Sequence, residues 1–296
     1  MAGPNKAWWT IVPAWFAVLS TTAYSRQIRY YFNAVLYILA LGLCSVVGVV
    51  FPLTFGLFGQ RYNTNLAVAR SFYALSSRLF GITVKIVEGE QYLSQRPSIL
   101  MGNHQSFLDI LYLGVIMPQH SVIMAKKELR WAPILGQFMM LGGSVFIDRK
   151  SRESAVRTMK EAGQTMRKND LALFAFPEGT RSHSDKPVLL PFKKGIFHLA
   201  IETQLPITPI VCENYHHLYD SKSRFEGGEI RVAVLPPVST QGLTMKDTDA
   251  LIKQVYDMML ARLKQFGEDS NADKVLADYR LSQKSTHGLA GLMARL

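Results

Sequence analysis

The chain has 296 residues, and 33 Lys and Arg against 22 Asp and Glu give a formal net charge of +11, which indicates an anionic partner such as nucleic acid, an acidic lipid surface or a phosphorylated substrate. With 48% hydrophobic and 19% charged residues, the composition excludes a disordered chain, because such chains lack the apolar surface that offsets the entropy cost of ordering. The two cysteines, Cys44 and Cys212, exclude a disulfide framework and a four-cysteine zinc site.

The N-terminal quarter contains two stretches without charged residues. Between Arg29 and Arg61 the apolar run is long enough for a helix that crosses a ~30 Å hydrocarbon layer, which needs roughly 20 residues. We predict a membrane segment here, with a buried core helix as the alternative. The stretch at 7–25 is interrupted by Pro13, and it is expected to span the lipid bilayer, to lie on it or to form a re-entrant segment. Positive residues on both sides of the long segment leave its orientation open.

A third uncharged run covers residues 131–147 and contains Pro133 and three glycines. Its β-branched end favours a short buried helix followed by a strand over a membrane span.

The chain beyond residue 80 alternates short β-rich segments with helical patterns. The predicted strands are 83–89, 98–103, 121–125, 144–148, 171–176, 207–214 and 229–236, and the clearest helices are 151–168, 195–203 and 246–266. Strands that are apolar throughout predict a sheet covered on both faces. We therefore predict an α/β fold with a mixed, mostly parallel sheet of about seven strands, flanked by helices and preceded by N-terminal membrane helices. The expected divisions are 1–78 for the anchoring helices, 79–266 for the folded domain and 267–296 for a polar, weakly ordered tail.

The second predicted strand leads directly into His104, and Asp109 follows five positions later. A carboxylate that orients an imidazole is the arrangement of a general base. In a continuous helix the two side chains would point about 140° apart, so they meet only if the chain bends between them. Ser106 is the expected N-cap of the following helix, with Asp109 at its third position. The alternative is a capping-box variant with an ordinary strand-end histidine.

The fifth predicted strand leads into the turn at 177–182, which carries a carboxylate and a guanidinium. Open α/β sheets bind ligands at the carboxyl ends of their strands, so Arg181 is expected to grip a phosphate and Glu178 to accept a hydrogen bond from a substrate hydroxyl. Lys193 and Lys194 precede a predicted helix, whose N-terminus would favour the same anion. A plain surface turn and two solvated lysines are the alternatives.

Other sites are less consistent with the residues. The basic run at 125–130, which includes Lys127, would contact an anionic headgroup or a phosphate, or lie exposed. The spacing of Cys212, Glu213 and the histidines at 216–217 suits no common metal site, so no metal is expected. The positive charge is scattered, so no nucleic acid is expected either.

Four segments together resemble the motifs of the glycerolipid acyltransferases. They are NHQSFLD at 103–109, GSVFIDR at 143–149, FPEGTRS at 176–182 and LPITPI at 205–210. The pattern is most similar to the 1-acyl-sn-glycerol-3-phosphate (lysophosphatidic acid) acyltransferase family, particularly its fungal members, and it covers about residues 30–265. Thr208 is a mild departure from the fourth motif.

The resemblance implies an enzyme that moves a fatty acyl group from acyl-CoA to the sn-2 hydroxyl of lysophosphatidic acid. It implies His104 as general base and Asp109 as its orienting partner, with acyl-CoA as co-substrate and no cofactor. The residues it assigns to the substrate are Glu178, Gly179, Thr180, Arg181, Lys193 and Lys127. It also implies a membrane location, the endoplasmic reticulum or the lipid droplet. Other acceptors (glycerol 3-phosphate or another lysophospholipid), a lipid hydrolase and a non-catalytic lipid-binding module are the alternatives.

Overall fold

A computed structural model describes residues 25–148 and 150–269. The helices are α1 Arg26–Phe55, α2 Thr64–Phe80, α3 Asp109–Ile116, α4 Leu135–Leu141, α5 Arg152–Asn169, α6 Lys194–Thr203 and α7 at 248–269. The strands are β1 Ile82–Glu88, β2 Ser98–Gly102, β3 Ser121–Lys126, β4 Val145–Ile147, β5 Ala172–Ala175, β6 Ile207–Cys212 and β7 Gly228–Val234. The stretch at 7–25, except for its last residue, and the tail beyond 269 lie outside the described residues.

The strands form one mixed sheet in the order β1-β7-β6-β2-β5-β3-β4. All neighbours are parallel except β6 and β7, which are antiparallel. The predicted fold class and its strands are therefore confirmed. Every residue of β2, β5 and β6 is buried, because helices cover both faces of the sheet. One apolar cluster joins the sheet to α1, α2, α3 and α4, and the other joins it to α5, α6 and α7.

The third uncharged run folds as predicted. Its helix is α4, in which Gly136, Phe138 and Met139 are buried, and its strand is β4 at the edge of the sheet. The helix and the strand of this run are therefore part of the α/β body, whereas Trp131 at its start is 77% exposed.

Helix α1 has a packed side and an open side. Tyr37, Ala40 and Cys44 are buried against the body, whereas large apolar side chains on the other side are exposed: Val35, Ile38, Leu39, Leu43, Val46, Val50 and Leu53. Gly48 permits the close approach to α2 and α4, because a Cβ there would lie 2.5 Å from Val68 Cγ2 and 2.7 Å from Phe138 Cγ. The helix is long and apolar enough to cross a membrane.

The N-terminal half of α1 is also held by polar contacts to the loop between β6 and β7. Arg29 Nη2 lies 3.2 Å from Glu226 Oε1, and Asn33 Nδ2 donates to the Phe225 carbonyl at 3.1 Å. The Tyr37 hydroxyl donates to the Phe107 carbonyl at 2.9 Å. Through Tyr37, α1 therefore contacts the loop that carries the predicted general base.

Candidate active site

The loop after β2 is fixed to β6 by two side-chain amides. The Asn103 side chain donates to the Cys212 carbonyl at 2.9 Å and accepts the Cys212 N–H at 2.8 Å, in the manner of a strand pair. Gln105 Nε2 donates to the Glu213 carbonyl at 2.7 Å. These bonds hold the backbone on both sides of His104 at the carboxyl edge of the sheet.

His104 and Asp109 meet as the sequence predicted. The distance between His104 Nδ1 and Asp109 Oδ2 is 2.6 Å, and Asp109 is 1% exposed. Because an ionised carboxylate can only accept, Nδ1 carries the proton and Nε2 is left as the basic nitrogen. The imidazole stacks on Phe176 with ring centroids 3.8 Å apart. In the part of the chain that the structure describes, no side chain or backbone group bonds to Nε2.

The bend between the two residues differs in detail from the prediction. Helix α3 begins at Asp109 and not at Ser106, so Ser106 is not its N-cap. The Asp109 carboxylate itself accepts the backbone N–H groups of Gln105, at 2.7 Å, and Ser106, at 3.1 Å. These bonds keep residues 105–108 in a turn and delay the helix, which is why the carboxylate can reach back to the imidazole.

The Glu178 side chain bonds the backbone of the loop that carries His104. This corrects the expected contact between Glu178 and a substrate hydroxyl. Its Oε1 accepts the His104 N–H at 2.7 Å, and its Oε2 accepts the Leu190 N–H at 2.8 Å. The residue is 2% exposed, so both oxygens face the protein. Burial raises the pKa of this carboxyl to about 7, although the two hydrogen bonds oppose the shift. Its position is that of a brace for the His104 backbone.

The rest of the FPEGTRS motif at 176–182 reaches the cavity. Gly179 turns the chain with φ +70°, and Gly179, Thr180 and Arg181 line the same cavity as His104. The backbone N–H of Ser182 donates to the His104 carbonyl at 2.9 Å, which joins the two motifs directly. Within 25–148 and 150–269 the Arg181 guanidinium has no ion pair or hydrogen bond, so it is available to an anion.

The predicted lysines take different positions. Lys193 is exposed and its side chain runs beside Gly179, where an added Cβ would lie 3.3 Å from Lys193 Cγ. Lys194 pairs with Asp249 at 2.6 Å. Lys127 is not in the cavity wall, because its ammonium lies 2.9 Å from Asp148 Oδ2 and holds the pKa of that carboxyl below its ordinary value. The preceding residue, Lys126, lines the cavity instead.

The cavity has a volume of about 600 Å³, and both basic and apolar side chains line it. The basic ones are His104, Lys126, Arg181 and His183. The apolar ones come from α1, α2, α3, β3, α4 and the segment between β3 and α4: Leu41, Val68, Ala69, Phe72, Ile110, Leu113, Ile123, Met124, Leu129, Leu135, Phe138 and Met139. One ligand with a charged group and a hydrocarbon chain would match both kinds of residue.

Two residues of the site were missed by the sequence analysis. Tyr215 donates its hydroxyl hydrogen to Asp109 Oδ1 at 2.6 Å, and Phe176 supports the imidazole. Tyr215 lies three residues after β6, whose carboxyl end meets that of its parallel neighbour β2. The position of a polar residue at that sheet edge was therefore a sequence signal for a site residue.

Comparison with known proteins identifies the family of the chain. Residues 84–213, which contain His104, Asp109 and the whole Glu178–Arg181 turn, match the family model described as Acyltransferase. The 1-acyl-sn-glycerol-3-phosphate acyltransferase of Saccharomyces cerevisiae is 40% identical over 239 residues, which are 80% of this chain and 78% of the yeast protein. The human alpha form, of the same name, is 36% identical, with 83% of this chain and 85% of the human protein covered.

A solved structure gives the same result. The crystal structure of the 1-acyl-sn-glycerophosphate (LPA) acyltransferase of Thermotoga maritima superposes with a TM-score of 0.58 at 26% identity, over 81% of this chain and 98% of that one. Fold, site and matched region thus define an acyltransferase. The chain belongs to the 1-acyl-sn-glycerol-3-phosphate acyltransferase family, and the resemblance seen in its motifs is confirmed.

Proposed function

We propose that this enzyme moves a fatty acyl group from acyl-CoA to the sn-2 hydroxyl of lysophosphatidic acid, giving phosphatidic acid and free CoA. The observation that carries the proposal is the His104 imidazole, whose Nδ1 is 2.6 Å from a buried carboxylate while the ring lines a cavity with both basic and apolar residues in its wall. The names of the relatives support the choice of acceptor.

The reaction needs a base more than it needs an electrophilic metal. A thioester is already an activated acyl donor, whereas an alcohol is too weak an acid to ionise at neutral pH. His104 Nε2 takes the hydroxyl proton as the oxygen attacks the thioester carbonyl, and Asp109 stabilises the imidazolium that forms. The C–S bond then breaks, and the imidazolium returns the proton to the CoA sulfur. Such base catalysis typically contributes ~10²–10⁴-fold.

The basic and apolar residues of the cavity wall suit the two parts of the acceptor. Arg181 offers a planar fork of donors to the phosphate, and Lys193 adds charge beside Gly179. The apolar side chains take a hydrocarbon chain, and the cavity volume is typical of ligand pockets, which hold ~300–1,000 Å³. Gly179 and Thr180 line the same cavity, where the glycerol would lie.

The open side of α1 is the proposed contact with the lipid bilayer. Its exposed side chains are Val, Ile and Leu, and α4, which packs against α1, is preceded by two further exposed apolar residues, Trp131, which is 77% exposed, and Ile134. Leu129 and Leu135, on either side of these two residues, line the cavity. This arrangement would let acyl chains enter from the hydrocarbon. By family resemblance the membrane is that of the endoplasmic reticulum, with the lipid droplet as the second candidate.

The acceptor is tested by incubating the purified protein in detergent with radiolabelled acyl-CoA. Lysophosphatidic acid, glycerol 3-phosphate and lysophosphatidylcholine are supplied separately. We expect labelled phosphatidic acid and an equal amount of free CoA with the first acceptor only. Preference for another acceptor would contradict the proposed substrate, and release of labelled fatty acid without any acceptor would indicate a hydrolase.

The membrane contact is tested by fluorescence quenching. The chain has four tryptophans, so a variant that retains only Trp131 reports on this position alone. In vesicles with brominated acyl chains we expect its emission to be quenched relative to unbrominated vesicles. Equal emission from vesicle-bound protein in both would show that Trp131 stays outside the hydrocarbon.

A further inference from the structure

The Asp109 carboxylate is held by its two oxygens in unequal ways. Oδ2 receives His104 Nδ1 and the backbone N–H groups of Gln105 and Ser106. Oδ1 accepts from the Tyr215 hydroxyl at 2.6 Å, and no other described residue donates to it. The terminal torsion of an aspartate is broad and weakly restricted. The three bonds to Oδ2 and the Tyr215 bond to Oδ1 therefore fix the rotation of the carboxylate together, and the Tyr215 bond is the one that holds Oδ1.

Tyr215 is itself oriented by a second hydroxyl. Its oxygen lies 2.8 Å from Ser106 Oγ. Because the single Tyr215 hydrogen is donated to the carboxylate, Ser106 must donate to Tyr215, and Ser106 Oγ in turn accepts the Leu108 N–H at 3.1 Å. The result is one directed chain of hydrogen bonds that ends on Asp109. Tyr215 is 2% exposed, and hydrogen bonds in such a dry setting strengthen one another.

We propose that Tyr215, oriented by Ser106, is a positioning residue for the general base: it sets the direction and the effective charge of the Asp109 carboxylate. The proposal rests on the proposed acyl transfer. Tyr215 does not line the cavity, so it acts through Asp109 and not by touching substrate. It lies 106 positions from Asp109 in the chain and outside the four motifs that carry the family resemblance.

Other titratable groups face Asp109 from the surrounding elements. They are Tyr37 on α1, Tyr112 on α3, Cys212 at the end of β6 and Glu178 after β5. Burial raises the pKa of Tyr112 and of Cys212 well above the ordinary values, so both stay neutral in an activity assay. Glu178, with its pKa of about 7, titrates in the assay range, so the His104 signal must be measured directly.

The test compares Tyr215→Phe with Tyr112→Phe. Each change removes one buried hydroxyl, but the Tyr112 hydroxyl donates to the Asn103 carbonyl at 3.0 Å and not to Asp109. For Tyr215→Phe we expect kcat to fall by roughly 10–100-fold, the range of a lost hydrogen bond to a charged group. KM for both substrates should change little. The acidic limb of the pH profile should move to higher pH, because a carboxylate with one donor fewer favours the imidazolium more strongly.

A second readout does not depend on turnover. In protein labelled with ¹⁵N-histidine, the His104 titration is identified by its loss in His104→Asn, and its midpoint should rise in Tyr215→Phe and, by less, in Ser106→Ala. Tyr112→Phe should leave the midpoint in place. Equal falls in kcat for the two tyrosine variants, with no movement of the His104 midpoint, would overturn the proposal. Wild-type protein that fails to acylate lysophosphatidic acid would count against the proposed function alone, since the titration would still decide the role of Tyr215.

Discussion

Replacement of Glu178 by glutamine tests how the Glu178 side chain joins the turn at 177–182 to the loop that carries His104. The wild-type side chain accepts two backbone N–H groups, from His104 at 2.7 Å and from Leu190 at 2.8 Å. With a pKa of about 7 it is mostly the neutral acid at pH 5, and its carbonyl and hydroxyl oxygens can each still accept one N–H. A glutamine oxygen can accept one of them, but its NH₂ group cannot accept and meets the other donor. A buried donor left without a partner costs about 1–3 kcal/mol. We therefore expect Glu178→Gln to be less stable than wild type at pH 5.

The pH dependence of the stability of wild type and Glu178→Gln gives the sharper result. Burial raises the pKa of Glu178 from 4.5 to about 7, so the folded state holds this proton more tightly than the unfolded state. The associated stability is fully present below pH 4.5 and is lost as the pH rises through about 7. A shift of this size corresponds to about 3 kcal/mol. Glutamine does not titrate, so the variant does not lose this stability as the pH rises. The difference in unfolding free energy between wild type and Glu178→Gln should therefore narrow towards pH 8.

Thermal unfolding in detergent, followed by circular dichroism from pH 4.5 to 8, measures the difference between the two proteins. The wild-type midpoint should fall relative to the variant by roughly 5–10 °C across this range, as 1 kcal/mol shifts the midpoint by a few degrees. Glu202→Gln, at an exposed position on α6, is the control and should run parallel to wild type. If the unfolding midpoints of wild type and Glu178→Gln changed with pH in parallel, the raised pKa of the Glu178 carboxyl would be refuted.

Two further changes test the anion site and the seat of α1. Arg181→Ala should raise KM for lysophosphatidic acid by about 10–100-fold, which is the effect of losing a charge-assisted hydrogen bond. The control Arg157→Ala on α5 should leave this KM unchanged. An unchanged KM in Arg181→Ala would remove Arg181 from the phosphate site. Gly48→Ala should lower the stability by about 1–3 kcal/mol, because the added Cβ would lie 2.7 Å from Phe138 Cγ. Gly42→Ala, in the same helix with nothing within 4 Å, should raise it slightly, and equal effects at both positions would contradict the observed packing of α1.

The sheet was predictable because its strands are buried on both faces. A strand covered by helices on either side reads as a short, continuous apolar run, and β2, β5 and β6 are of this kind. The pairing of His104 with Asp109 was predictable for a similar reason, since the two residues are close in the chain and only the bend between them had to be inferred.

The direction of single side chains was not predictable. Lys126 is the last residue of β3, and Lys127 begins the turn that follows it, so the strand pattern does not set the direction of the second side chain. One reaches the cavity and the other pairs with Asp148. Glu178 was expected to face the substrate, but its carboxylate bonds backbone groups at positions 104 and 190 that are distant in sequence. Contacts of this range depend on the assembled tertiary structure.

The central claim is that the His104 imidazole removes the proton of the acceptor hydroxyl. Its most direct test is the turnover of His104→Asn with labelled acyl-CoA and lysophosphatidic acid. The control is His120→Asn, the same substitution in the turn just before β3, where the His120 backbone N–H donates to Asn63 Oδ1. We expect the first variant to lose ~10²–10⁴-fold in kcat, with its membrane binding and unfolding midpoint unchanged, and the second to keep wild-type turnover. Near-normal turnover in His104→Asn would contradict the account.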